Sequence, residues 1–248
     1  MGPQLDTRYQ RNIDVPGMGD EGQAALNNSS VLVVGAGGLG SAALPYLAGA
    51  GIGRIGIVDH DVVELTNMQR QVLHTALGAR KADSAASRLR ALNPTIVVDA
   101  LPFELTEDNA VALLRKYDLV LDCTDTFAAK FLISDSAEEA GVPLVWATAV
   151  AMQGQCSVFG VPDAEGNKLY LRDLIPEEPP GDTYQMATEV GVLGAVVGHI
   201  GTLQAVEAIK LLTGMGTPLV GRIMFYDARS ARWDELPLRK RAWRARLS

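Results

Sequence analysis

The sequence holds only two cysteines and three histidines in 248 residues. Cys123 and Cys156 stand far apart, each inside an apolar run, and no Cys-x-x-Cys pair exists. A four-thiolate zinc site is thereby excluded, and both side chains are expected as buried, reduced thiols. Cationic residues are also in short supply. With 22 Lys and Arg against 29 Asp and Glu, the net charge is −7, which argues against a chain that coats nucleic acid. No apolar segment lies between Met1 and Ser30, so no signal peptide is read there. The apolar stretch from Val190 to Leu212 is interrupted by His199, Gln204, Glu207 and Lys210, and reads as a buried helix rather than a membrane span. The expectation is a cytoplasmic protein that engages neither membrane nor nucleic acid. The basic tail, Arg239 to Arg246, is expected as a solvated end.

What is present is a large apolar fraction, 48% hydrophobic with an ordinary 21% charged, enough to bury the core of one α/β domain. Residues 1–30 read as an N-terminal arm. Val31 to Val34 is a buried strand, followed by a glycine-rich turn, a small-residue helix and a second strand, Arg54 to Val58. The 3.6-residue period predicts a helix from Arg80 to Leu92, stopped by Asn93-Pro94. A strand from Thr95 to Ala100 follows, then a helix from Thr106 to Tyr117 with Thr106 as its N-cap. Asp118 to Cys123 and Pro143 to Ala149 read as strands around a helix from Phe127 to Ala140. Beyond residue 150 the alternation stops. Gln153 to Gly160 and Lys168 to Leu171 read as strands with no helix between them, Pro176 to Gly181 as an exposed loop, and Gly191 to Thr213 as a helix. Final strands are expected near Arg222 to Tyr226 and Ala231 to Leu236. The prediction is a Rossmann-like, doubly wound, mostly parallel sheet with an antiparallel C-terminal extension.

The chemistry-bearing pattern begins with Gly35-x-Gly37-Gly38-x-Gly40 between strand and helix, with Asp59 at the end of the next strand. Glycines admit phosphate close to the backbone, the helix N-terminus offers unpaired N–H groups, and the acid accepts hydrogen bonds from ribose hydroxyls. That much fits a dinucleotide dehydrogenase as well as an ATP user. The following loop supplies Asp61, Asn67, Arg70 and Gln71, then Gly78-x-x-Lys81. Two fixed cations beside a glycine turn suit a triphosphate better than a pyrophosphate bridge seated on a helix end. Asp125, just past the Leu119–Cys123 strand, stands where open α/β sheets bind ligands, and a carboxylate there suits Mg²⁺. Asp122 is read as a structural cap, and His60, His74 and His199 as structural.

Together these residues resemble the MoeB/ThiF-type adenylyltransferases of the ubiquitin-activating superfamily. The resemblance runs from Arg8-Tyr9-Gln10-Arg11 through the glycine turn, the VDHDVVELTNMQRQVLH segment that starts at Val58, LVLDCTD ending at Asp125 and GQCSVF ending at Phe159, to the Gly191–Gly214 stretch. It implies one adenylation domain over 1–248: the arm, a nucleotide-binding part (31–150), and a carrier-binding and dimer part (151–248). It places Gly37, Gly38 and Gly40 against ATP phosphates and Asp59 on the ribose. Asn67, Arg70 and Lys81 would contact phosphates, Asp125 would bind Mg²⁺, and Arg11 would reach across a homodimer into the neighbouring site. The implied reaction is ATP-dependent adenylylation of a small ubiquitin-like sulfur-carrier protein of the MoaD or ThiS type, ending in Gly-Gly.

The chain also departs from that family. Lys168 to Arg172 replaces the first zinc-binding cysteine pair, and the second pair has no cysteine beyond Cys156, so no structural zinc is expected. Leu169, Tyr170 and Leu171 would pack in its place. Ala187 stands where relatives carry an acceptor cysteine, which implies that the enzyme stops at the adenylate and passes it to an external sulfur donor. Thr126 stands where relatives usually have Asn beside the magnesium aspartate. Three other readings stay open: an NAD-dependent oxidoreductase, a relative that activates a small molecule or tRNA base, and a non-catalytic nucleotide-binding scaffold.

Overall fold

The computed structural model describes residues 7–180 and 190–241. Its strands are β1 (Ser30–Val34), β2 (Arg54–Val58), β3 (Val97–Leu101), β4 (Leu119–Asp122), β5 (Leu144–Val150), β6 (Gln153–Phe159), β7 (Arg222–Asp227) and β8 (Arg232–Pro237). They form one sheet in the order β3-β2-β1-β4-β5-β6-β7-β8. Strands β1 to β5 run parallel, and β5 to β8 pair antiparallel. The mostly parallel sheet with an antiparallel extension is thus the fold the sequence predicts.

The helices are α1 (Gln10–Ile13), α2 (Gly19–Asn27), α3 (Gly38–Ala50), α4 (Lys81–Leu92), α5 (Glu107–Leu114), α6 (Phe127–Ala140), α7 (Leu171–Leu174) and α8 (Gly194–Thr213). Alternate side chains of each central strand face opposite layers, which is why these strands read as unbroken apolar runs. Val31, Val33, Leu119, Leu121 and Val145 pack with α2, α3, α4 and α8. Leu32, Val34, Val120, Leu144 and Trp146 pack with α5, α6 and α7. The stretch 7–28 is tied down rather than free, since Tyr9, Met18 and Leu26 are buried. The Tyr9 hydroxyl bonds to both Thr95 and Asn93.

Two expectations change. Lys168 to Leu171 is no strand: Lys168 makes a single bridge to Pro162, and Leu171 opens α7. Its apolar residues do pack into the lower core, with Leu169 and Leu171 buried and Tyr170 half-buried. Arg172 fastens the segment to α6 through both Asp135 carboxylate oxygens, at 2.8 and 2.7 Å, while stacking over Phe131. Second, the start of the basic tail is docked. The Arg241 guanidinium donates to the Asp173 and Leu174 carbonyls at 2.7 and 3.0 Å, where α7 leaves its last carbonyls unpaired. Residues 242–246 of the tail, Gly181 of the proline loop, and Met186 to Glu189 with Ala187 lie outside the described residues.

One small residue of α8 serves packing within the chain. A Cβ on Gly201 would land on the Leu39 carbonyl oxygen, so α3 and α8 approach backbone to backbone. By length and composition α8 could cross a membrane. Here it packs against the sheet, with buried Glu207 paired to Lys210 and accepting the Leu219 N–H. Gly201→Ala is expected to cost about 1–3 kcal/mol in urea unfolding through overpacking. Gly198→Ala, which meets nothing within 4 Å, should be neutral or gain up to about 1 kcal/mol.

Candidate active site

A cleft of about 650 Å³ opens beyond the carboxyl ends of β1, β2 and β4. Between β1 and β4 the chain order reverses, so the loops leaving those strands diverge and leave a crevice. The glycine turn forms its floor. Gly35 takes φ +96°, and a Cβ there would stand 2.8 Å from the Cys123 carbonyl oxygen, which only glycine avoids. Gly37 and Gly38 line the cleft at the start of α3. Gly40 does not: a side chain there would strike the Gly35 carbonyl, so it serves the strand–helix contact.

Asp59 is almost fully buried at the end of β2, and its carboxylate accepts the N–H of Ala36 at 2.8 Å and of Asp61 at 2.9 Å. It therefore fixes the turn and still lines the cleft. Lys81, the first residue of α4, is buried with its ammonium 2.8 Å from Asp61. Arg70 also lines the cleft, its guanidinium donating to the Thr66 carbonyl at 3.0 Å. Gln71 packs beside Gly37, and its buried Oε1 has no hydrogen-bond partner among the described residues. An orphaned polar atom at the wall of a cleft is the feature expected where a polar ligand completes the site.

On the β4 side, Asp125 and Thr126 line the cleft. Thr126 caps α6, its hydroxyl accepting the Ala129 N–H at 3.3 Å. Asp125 is exposed, and no hydrogen bond or ion pair among the described residues engages it. A free carboxylate is a hard oxygen donor suited to Mg²⁺, an ion that keeps waters and phosphates as its other ligands. No group of three or more His, Cys, Asp or Glu able to cage a metal occurs among the described residues. Besides Gly40, two expected site residues lie outside the cleft lining. Asn67 is buried in a capping box, its Oδ1 accepting the Glu64 N–H at 3.1 Å. Arg11 is 96% exposed, 3.6 Å from Asp14.

Behind the cleft lies a buried polar network that periodicity did not reveal. Lys130 of α6 reaches under the sheet edge to Asp122 at 3.1 Å and the Ala147 carbonyl at 2.6 Å. Asp122 also accepts the Thr124 N–H and hydroxyl, so it shapes the loop that carries Asp125. Gln204 of α8 donates to the Asp122 carbonyl at 2.8 Å and accepts the Cys123 thiol. Burial pushes both Cys123 and Cys156 thiols up, so both remain protonated and unreactive. His60, expected to be structural, is instead exposed at the cleft beside Asp61. His199 is exposed and meets the Tyr226 ring edge-on. The motif signal was available for His74 alone: it ends the long segment after Asp59 and is buried against the glycine turn.

A sequence model for the ThiF family matches residues 9–245. The chain is 44% identical over 240 residues to the sulfur carrier protein adenylyltransferase of Thermus thermophilus, covering 96% of this chain and 88% of that protein. It is 45% identical over 235 residues to the probable adenylyltransferase/sulfurtransferase MoeZ of Mycobacterium tuberculosis, covering 94% of this chain and 60% of that one. The Arabidopsis thaliana adenylyltransferase and sulfurtransferase MOCS3 is 45% identical over 244 residues, with 98% and 52% covered. The chain thus spans little more than half the length of those last two relatives. Among solved structures, Escherichia coli MccB with MccA-N7isoASN superposes with a TM-score of 0.79 at 19% identity, covering 97% of this chain and 74% of that chain. MccB with ATP gives 0.77 at 21%, covering 97% and 73%. At such identities the likeness concerns the fold.

Lys130→Met should cost about 3–5 kcal/mol in urea unfolding, because it strands the buried Asp122 charge. Adding Asp122→Asn to that variant should recover part of the loss. A second expectation concerns acid. Burial, opposed by the Ala36 hydrogen bond and assisted by the Lys81 charge, holds the His74 imidazole below its ordinary value of 6.5. As pH falls below about 6.5 the unfolded chain takes up this proton first, so stability declines until the folded ring also protonates. His74→Gln should flatten that limb of the stability–pH curve.

Proposed function

This chain belongs to the ThiF family, and from that premise we propose that it adenylylates the C-terminal glycine of a small ubiquitin-like sulfur-carrier protein of the MoaD or ThiS type. Pyrophosphate leaves, and the acyl-adenylate is the activated form from which a thiocarboxylate is made. The observation that carries this reading is the convergence, in one cleft, of the glycine turn, Asp59, Arg70, Lys81 and Asp125. The name of the Thermus relative, of which 88% is covered, supports the same substrate class.

The attacking carboxylate is already ionised near neutral pH, so no general base is needed. The difficulty is that one anion must approach another. Arg70 and Lys81 offset that repulsion where the triphosphate lies, and a partly water-excluded cleft strengthens both. Asp59 accepts the ribose hydroxyls on this reading, and the N–H groups at the start of α3 meet the phosphates. Asp125 would hold a magnesium ion, which, when bound, neutralises phosphate charge. The cleft runs on to Thr148, Ala149 and Val192, the wall along which an extended Gly-Gly tail would arrive.

The remaining assignments complete the reading. Residues 1–248 act as one adenylation domain, with 31–150 binding nucleotide and 151–248 receiving the carrier. Arg11, exposed and remote from its own cleft lining, acts across a homodimer in the partner's site. Neither buried thiol can accept the acyl group, so sulfur comes from an external donor in the cytosol.

Incubation with ATP, Mg²⁺ and candidate carriers should give carrier-dependent ATP–pyrophosphate exchange. A carrier mass increase matching adenylate should accompany it. Absence of exchange with every Gly-Gly-ending carrier of the same organism would refute the reading. Arg70→Ala and Asp125→Ala should each lower the exchange rate by about 10²–10³-fold. Mixing Arg11→Ala with Asp125→Ala should restore part of the activity, because mixed dimers contain one complete site.

A further inference from the structure

We propose that His74 is a positioning residue for the nucleotide triphosphate: its Nε2–H, bonded to the Ala36 carbonyl at 2.8 Å, sets the Ala36–Gly37 peptide so that the Gly37 N–H faces the cleft. The inference rests on the ATP reading above and adds to it a residue that touches no substrate.

His74 is 2% exposed, and each ring nitrogen has one neighbour: Nε2 the Ala36 carbonyl, Nδ1 the Ser84 hydroxyl at 3.0 Å. A carbonyl only accepts, so Nε2 carries the proton and Nδ1 takes the hydroxyl hydrogen of Ser84. The charged groups that face the ring are Lys81 at the start of α4 and Asp59 at the end of β2. Burial and Lys81 both favour the neutral ring, which keeps this donor–acceptor assignment at neutral pH.

Peptide geometry supplies the rest. In a planar trans peptide the C=O and the following N–H point in opposite directions. Holding the Ala36 carbonyl toward the buried histidine therefore turns the Gly37 N–H outward. The preceding peptide is fixed as well, because the Ala36 N–H is held by Asp59 at 2.8 Å. Glycine on either side, at positions 35 and 37, leaves the turn free to rotate these peptides unless something holds them. A flipped Ala36–Gly37 peptide would aim a carbonyl, partly negative, at the phosphates. His74 thus sets the sign of the dipole that the triphosphate meets.

The test uses the full chain and calorimetry with two ligands, Mg²⁺-ATP and adenosine, which carries no phosphate. His74→Leu fills the space but cannot donate. It should weaken ATP by about ten-fold, the loss of roughly one hydrogen bond's net worth, and leave adenosine unchanged. His74→Gln, whose amide can donate to Ala36, should recover most of the ATP affinity. A Leu variant that binds ATP like the wild type, or loses ATP and adenosine alike, overturns the positioning role. Ring ¹⁵N spectra of the wild type provide a variant-free check: a proton on Nε2 at neutral pH is expected, and one on Nδ1 overturns the inference. Wild-type protein that binds no ATP at all sinks the underlying reading, a result distinct from a Leu variant that keeps its ATP.

Discussion

Gly35 and the Cys123 carbonyl stand at the point on which the rest of the site depends. At φ +96°, and with no room for a Cβ, Gly35 lets β1 end directly against the end of β4. Its N–H still closes the sheet on the other side, donating to the Val58 carbonyl at 2.8 Å. Three strand ends are thereby gathered within one turn of chain: the glycine turn, the loop after Asp59 and the loop that carries Asp125. Because the strand order reverses between β1 and β4, the helices that follow them leave on opposite faces. The cleft is the space they vacate.

That arrangement buries charge, and the structure shows how each charge is matched. Lys130 and Asp122 lie beneath the Asp125 loop with almost no solvent contact, which is costly unless both are paired and their remaining hydrogen-bonding capacity is met. Here Ala147, Thr124 and the Lys130–Asp122 contact itself meet it. Gln204 ties the same strand end to α8. A network paired in this way holds one geometry. The loop bearing the exposed Asp125 carboxylate is thus mounted on a rigid base.

The fold was legible wherever burial imposed a period. The Arg54–Val58 strand and the Phe127–Ala140 helix have the residue limits read from the sequence, and Thr106 caps its helix as expected. Lys168 to Leu171 misled because two leucines and a tyrosine in extended backbone look alike whether they ladder or simply dock. The site was legible in its glycines, Asp59, Arg70, Lys81 and Asp125, whose spacing follows from strand, turn and helix. Less legible was the division of labour. Gly40 and Asn67 carry the motif yet serve packing and capping. Lys130 shows only as one cation on an otherwise apolar helix face. No spacing rule pairs His74 with a carbonyl 38 positions earlier.

The pairing of Lys81 with Asp61 explains how the cleft wall can carry a buried lysine. A lone ammonium with 8% exposure would be costly to bury, whereas Asp61, about half exposed, pairs with it without itself being desolvated. The contact is therefore asymmetric. On the ATP reading, a triphosphate entering the cleft offers Lys81 a stronger, multiply charged partner, and Asp61 can turn to water at small cost. Arg70 is held differently, by the Thr66 carbonyl of its own loop, and no carboxylate among the described residues pairs with it. On the proposed reading, one cation is kept ready by a replaceable counter-ion and the other by a neutral acceptor. Both become available to phosphate without a charge being stranded in the protein interior.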